Sequence, residues 1–80
     1  MIPLYGFLEG DTIGLLVLAE DDDSIADIAR KLQAAARLRA AIDGPVKVLC
    51  GDRTLDPRST VADAGLRPPA RFDVRRETAA

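Results

Sequence analysis

The stretch EDDDSIAD, Glu20 to Asp27, places five carboxylates within eight residues. Carboxylates that dense suggest a hard divalent cation, which takes oxygen ligands from alternate loop positions, with a Gly at the sharp turn and a distal Glu in the EF-hand arrangement. Neither that spacing nor that Gly occurs here. The stretch reads instead as a helix start: Ser24 at the N-cap, Asp27 three residues on completing a box-like cap, and the remaining acids solvating the loop and favouring the positive end of the helix dipole. Cys50 is the sole thiol. It alternates with Val46 and Val48 on a predicted strand and reads as an inert core side chain, since a reactive thiolate needs a basic, partly exposed setting. GDTIG from Gly10 lacks a phosphate-loop lysine and precedes a strand where such a loop precedes a helix, so it reads as a hairpin turn. The sequence contains no His, which removes the commonest general base and metal ligand at neutral pH. No catalytic, cofactor-binding or metal-ligating constellation remains, and the chain is not expected to be an enzyme by itself.

The elements explain what the residues are for. Ile2 to Leu8 and Ile13 to Ala19 are apolar extended runs joined by EGDT, which predicts a β-hairpin. Ile25, Ile28, Ala29, Leu32 and Ala36 recur at helical spacing and predict one amphipathic helix reaching Leu38. Asp43 to Pro45 breaks the chain, Val46 to Cys50 predicts a third strand, and Thr54 with Leu55 a short edge strand ended by Pro57. Phe72 and Val74 alternate with Arg71, Asp73 and Arg75 as a last strand. Before it, Thr60 at an N-cap, Asp63 in the first turn, and Gly65 with Pro68 and Pro69 allow a helix of barely one turn. This order predicts an α+β fold: a mixed sheet of four to five strands, one long helix on one face, and the one-turn helix on the crossing that returns the last strand to pair with the first. One domain over residues 1–76 is expected, with 77–80 as a disordered tail.

With 80 residues and 48% hydrophobic residues, the chain suits one modest core that buries about 60 to 65% of the unfolded surface. No apolar run is long enough to span a membrane, and the N-terminus lacks the basic start and cleavage site of a signal peptide. One cysteine permits no internal disulfide, and the expected location is cytoplasmic. The net charge of −2 is unevenly placed, with seven acids and no bases up to Asp27, then six acids and eleven bases. Arg30, Lys31, Arg37 and Arg39 are expected toward the helix C-terminus, complementing its dipole. The other bases are scattered without interleaved aromatics, so no nucleic-acid partner is expected.

The first hairpin points outward. Pro3, Tyr5 and Phe7 oppose Ile2, Leu4 and Leu8, while Ile13, Leu15 and Val17 oppose Leu16 and Leu18. Whichever register holds, the face away from the helix stays apolar, and one helix covers only one face. Leu4, Leu8, Leu16 and Leu18 are therefore expected to contribute to a protein interface.

LDPRSTVADAGLRPPARFDV, Leu55 to Val74, resembles the link between the short fourth strand and the last strand of the ubiquitin-like β-grasp fold. More narrowly, PLYGFLEGDTIGLLVL (Pro3 to Leu18), DDSIADIARKL (Asp22 to Leu32), LDPRSTVADAGLRP (Leu55 to Pro68) and FDV (Phe72 to Val74) resemble the small B or gamma subunit of bacterial soluble diiron monooxygenase hydroxylases of the toluene, alkene or isoprene type. The middle, QAAARLRAAIDGPVKVLCGDRT, departs from that pattern. The resemblance implies a non-catalytic subunit docked on the iron-bearing large (alpha) subunit, with a beta subunit, in an assembly holding two copies of each of three chains. It implies that the diiron centre and the hydrocarbon oxidation belong to another chain, so that no catalytic residue carries over and this chain has no cofactor of its own. A sulfur-carrier or protein-modifier role is excluded by an ending of RRETAA where such chains end in Gly-Gly. A free-standing ubiquitin-like binding module with a transient partner is the alternative.

Overall fold

The computed structural model describes residues 1–77. The elements run β1 Ile2–Leu8, β2 Leu15–Ala19, α1 Ile25–Ala36, β3 Val46–Cys50, β4 Arg53–Leu55, α2 Val61–Ala64 and β5 Arg71–Arg76. They form a five-stranded sheet in the order β2-β1-β5-β3-β4. β1 and β5 are parallel neighbours at its centre, and the other pairs are antiparallel. The mixed sheet, the long helix and the one-turn helix before the last strand are those expected from the sequence. Glu77 donates its N–H to Pro45 O at 3.0 Å; residues 78–80, where most of the disordered tail was expected, lie outside the described residues.

The clean alternation of β5 fixes the inward face. Phe72 and Val74 are buried while Arg71, Asp73 and Arg75 face away from the helix. Parallel pairing sets Tyr5 beside Arg71 and Phe7 beside Asp73, so β1 turns Leu4, Gly6 and Leu8 inward. Antiparallel pairing then matches Leu4 with Val17 and Tyr5 with Leu16, which turns Val17 and Ala19 inward and Leu16 and Leu18 outward. This corrects the expectation for Leu4 and Leu8. Both are buried in the core beneath the helix, at 0% and 2% exposure, and neither belongs to the outward face. The core they join is completed by Ile25, Ile28, Leu32, Val61 and Phe72.

Two boundaries and one electrostatic expectation also change. β2 starts at Leu15, two residues after Ile13, and Gly14 between them packs against the Phe7 ring, where an added Cβ would lie 2.5 Å from Phe7 Cζ. α1 stops at Ala36, and Leu38 is exposed in the turn beyond it. The last turn of α1 carries no base. Arg30 instead pairs with Asp27, and Lys31 reaches back to Asp23 at 2.8 Å and to Leu18 O at 3.1 Å. Arg39 lies past the helix and clamps Asp11 in the β1–β2 turn at 2.9 Å.

The paired helix starts have a common purpose. A helix N-terminus leaves N–H groups without intrahelical partners. Here each start supplies carbonyls to the other: Ile25 and Ala26 donate to Ser59 O and Pro57 O, while Val61 and Ala62 donate to Asp23 O and Asp21 O. The two N-cap residues, Ser24 and Thr60, sit side by side as an antiparallel bridge. Each cap also serves its own helix, with Ser24 Oγ accepting from the Asp27 N–H and Thr60 Oγ1 from the Asp63 N–H, both at 3.0 Å. Gly65, at φ +73°, ends α2 in the left-handed conformation. The one-turn helix is thus the second half of a joint that fixes α1 to the crossing. Ser24→Ala and Thr60→Ala are each expected to cost about 1 kcal/mol of unfolding free energy. Because the caps share the joint, their double-mutant cycle should show a coupling of about 0.5 kcal/mol or more; strictly additive urea midpoints would contradict the joint.

Candidate interaction surface

The acidic stretch is absorbed by the fold. Asp27 takes the Ser24 N–H at 3.0 Å, and Asp23 takes the Glu20 N–H at 2.9 Å and Lys31. Asp21 and Asp22 point to solvent. Among the described residues, no three His, Cys, Asp or Glu side chains come together as metal ligands. Cys50 lies half-buried at the end of β3, packed against the core. A groove of about 340 Å³ between α1 and β3–β4 is walled mainly by Ala26, Ala29, Val46, Val48, Leu55 and Pro57. Arg30, Gln33, Lys47, Thr54 and Glu77 complete its lining.

Three carboxyls are held below the ordinary value of 3.8: Asp27 by hydrogen bonds from Ser24, first its backbone N–H; Asp23 by the Lys31 ammonium; and Asp11 by the Arg39 guanidinium. Depressed folded-state values mean that, as the pH falls toward 3.8, the unfolded chain takes up protons before the folded one. The stabilisation from these groups is complete above the unfolded value and is lost as pH falls through the folded values. With no His to titrate between about pH 5 and 8, the urea midpoint is expected to stay flat from neutral pH down to about 5 and to fall steadily below about 4. Asp11→Asn should soften the fall. A midpoint that rises on acidification would contradict these assignments.

The outer face of the sheet, opposite α1, has two halves. On β1 and β2 it presents Pro3, Tyr5, Phe7, Leu16 and Leu18, with Tyr5, Leu16 and Leu18 about half exposed at 53%, 56% and 48%. Phe7 is partly covered, held between Gly14 and the Arg71 guanidinium, which stacks 3.9 Å from the ring centre. On β5 and β3 the face presents Arg71, Asp73 and Arg75 beside Lys47 and Leu49. Asp73 accepts from Arg71 Nε at 3.0 Å and lies 3.7 Å from Arg75. Of the four leucines singled out in the sequence, the structure brings Leu16 and Leu18 together on this face. It adds Tyr5, Phe7 and Pro3, which sequence reasoning had set against the leucines. The alternation in RFDVR, carried across the parallel β1–β5 pair, is the signal that locates them.

Both sheet edges are short. At the β2 edge, the ammonium of Lys31 occupies Leu18 O and is anchored by Asp23. That blocks part of the row of backbone groups an added strand would need. The broad accessible surface is the face.

The family model for toluene-4-monooxygenase system protein B matches residues 1–75. No curated protein matches the chain. Among solved structures, one chain of toluene 4-monooxygenase HD complex with the inhibitor 4-bromobenzoate is similar at 26% identity and a TM-score of 0.86, over 95% of this chain and 98% of that one. A protein designed on the template of human erythrocytic ubiquitin, solved by NMR, is similar at 21% identity and a TM-score of 0.71, over 100% of this chain and 96% of that one. ATBAG1, in its complex with HSP70, is similar at 11% identity and a TM-score of 0.74, over 92% of this chain and 39% of that one. The latter two carry the fold alone, and the likeness to the ubiquitin-template design makes it a ubiquitin-like β-grasp fold. The match over residues 1–75, nearly the whole chain, makes it a member of the toluene-4-monooxygenase system protein B family.

Proposed function

We propose that this chain is a non-catalytic structural subunit of a multicomponent diiron monooxygenase hydroxylase that oxidises aromatic or alkene hydrocarbons. It docks on and stabilises the iron-bearing large subunit through the outer face of its sheet. The observation that carries this reading is that face: Tyr5, Leu16 and Leu18 stand half exposed together on a member of a monooxygenase-system family. A contiguous apolar patch larger than a few hundred Å² is uncommon on a protein that acts alone, and patches of about 300–600 Å² on monomers are often functional. At about 25 cal/mol per Å², covering such a patch supplies up to about 10 kcal/mol before the costs of association.

The chain's own residues do not fit a diiron centre. There is no His, and Asp23 and Asp27 of the acidic stretch are committed to a lysine and to a helix cap. The diiron centre and the oxidation belong, in this reading, to the large subunit, and the assembly holds two copies each of alpha, beta and this chain in the cytoplasm. Mass spectrometry and iron analysis of the native-size fraction from the source cells test it. The expected result is equal copy number with two larger chains that hold the iron. Elution as a stable, iron-independent monomer would overturn it in favour of a free-standing binding module.

A further inference from the structure

We infer that the outer face recognises a partner protein surface in which carboxylates border an apolar ridge, with Tyr5, Leu16 and Leu18 covering the ridge and Lys47, Arg71 and Arg75 holding the carboxylates. This rests on the docking reading above and adds the chemistry of what docks. The chain carries a net charge of −2, yet the β5–β3 half of this face sets Arg71 and Arg75 on the carboxylate of Asp73 and adds Lys47 opposite Arg75. Glu9 and Asp11 lie nearby at the end of β1, but Glu9 already accepts the Arg76 N–H at 2.7 Å and Asp11 is held by Arg39.

The cations are placed with donors to spare. Arg71 is fixed by its stack on Phe7 and by one bond from Nε, and its terminal amines have no hydrogen-bond partner among the described residues. Lys47 has no ion-pair or hydrogen-bond partner among the described residues, and it lies directly opposite Arg75 in the β3–β5 register. Like charges directly opposite each other on one face destabilise a sheet. A carboxylate arriving from outside relieves that repulsion, which gives the cationic row a purpose in the complex that it lacks in the free chain. Because Lys31 blocks part of the β2 edge, the partner approaches the face and does not extend the sheet. A second copy of the chain fits poorly. A two-fold axis through the apolar half leaves both cationic rows unmatched, and one through the centre sets cations against leucines.

Association of the full chain with the large and beta hydroxylase chains from the same source, measured at low and high salt, tests the inference. Lys47→Glu and Arg75→Glu are each expected to weaken affinity about tenfold at low salt, chiefly through slower association, and to flatten the salt dependence. Lys47→Glu also sets a carboxylate opposite Arg75, so the isolated variant should unfold at an equal or higher urea concentration than wild type. Higher stability with lower affinity is a combination that a purely structural lysine does not produce. Wild-type affinity and salt dependence in both variants, alongside weakened binding by Leu16→Ser, overturns the inference and leaves the docking reading standing. Wild-type binding by Leu16→Ser as well overturns both. Self-association of the wild-type chain that the two reversals abolish, or binding to anionic vesicles in place of the hydroxylase chains, overturns the inference too.

Discussion

Phe72→Ala is expected to lower the unfolding free energy of the isolated chain by about 3–5 kcal/mol. At roughly 0.05–0.15 kcal/mol per residue, a domain of this size holds only about 4–12 kcal/mol in total, so the variant should be largely or wholly unfolded at the lower end of that range. Phe72 is 1% exposed, on the central strand β5. Its ring reaches across to β1 at Gly6, where an added Cβ would sit 2.8 Å from Phe72 Cζ and 3.0 Å from both Leu32 methyls. Gly6 is the gap that lets ring, strand and helix meet, and the three atoms that fill it belong to fully buried side chains with nowhere to swing. Gly6→Ala is therefore expected to cost about 1–3 kcal/mol by overpacking. The two changes address one space from opposite sides. Equilibrium unfolding in urea measures both; a loss under about 1 kcal/mol for Phe72→Ala would contradict the packing described.

Most of the fold was legible because its signals are local. Ser24 with Asp27 and Thr60 with Asp63 mark both helix starts, Gly65 marks an end, and the apolar spacing from Ile25 to Ala36 marks the buried stripe. The register of the first hairpin was not legible from the hairpin itself. A strand with apolar residues on both faces gives no period-2 signal, and a shift of one residue exchanges the faces. That is how Leu4 and Leu8, both in the core, were grouped with Leu16 and Leu18. The information lay about 65 residues away, in the alternation of β5, and becomes usable only through the parallel Tyr5–Arg71 and Phe7–Asp73 pairs. Long-range charge pairing was hidden for the same reason. Arg39 looked like a helix-end base and instead joins Asp11, 28 residues earlier, because α1 stops at Ala36 and the chain turns back toward the hairpin. The cationic half of the outer face is likewise spread over β3 and β5, so scattered bases in the sequence become neighbours only in the sheet.

The double variant Leu16→Ser, Leu18→Ser is expected to leave the isolated chain folded while greatly weakening its association with the large hydroxylase subunit. Both side chains stand about half exposed on β2, and surface substitutions away from the core shift stability by about 0.5 kcal/mol or less. In a docked face the same side chains lose their water, and truncating well-placed apolar anchors costs about 1–2 kcal/mol each. Together that is roughly 30- to 1,000-fold in Kd. Leu4→Ala and Leu8→Ala provide the contrast. They lie on the opposite face of the same hairpin, at 0% and 2% exposure, and should cost about 2–5 kcal/mol of stability each. Any association they lose should follow from unfolding. Urea denaturation of the three isolated variants, paired with co-purification on tagged large subunit, separates the two classes. Intact co-purification of the folded double serine variant would remove this face as the docking surface, whereas a folded variant that no longer co-purifies assigns assembly to the leucines that the sheet turns away from its helix.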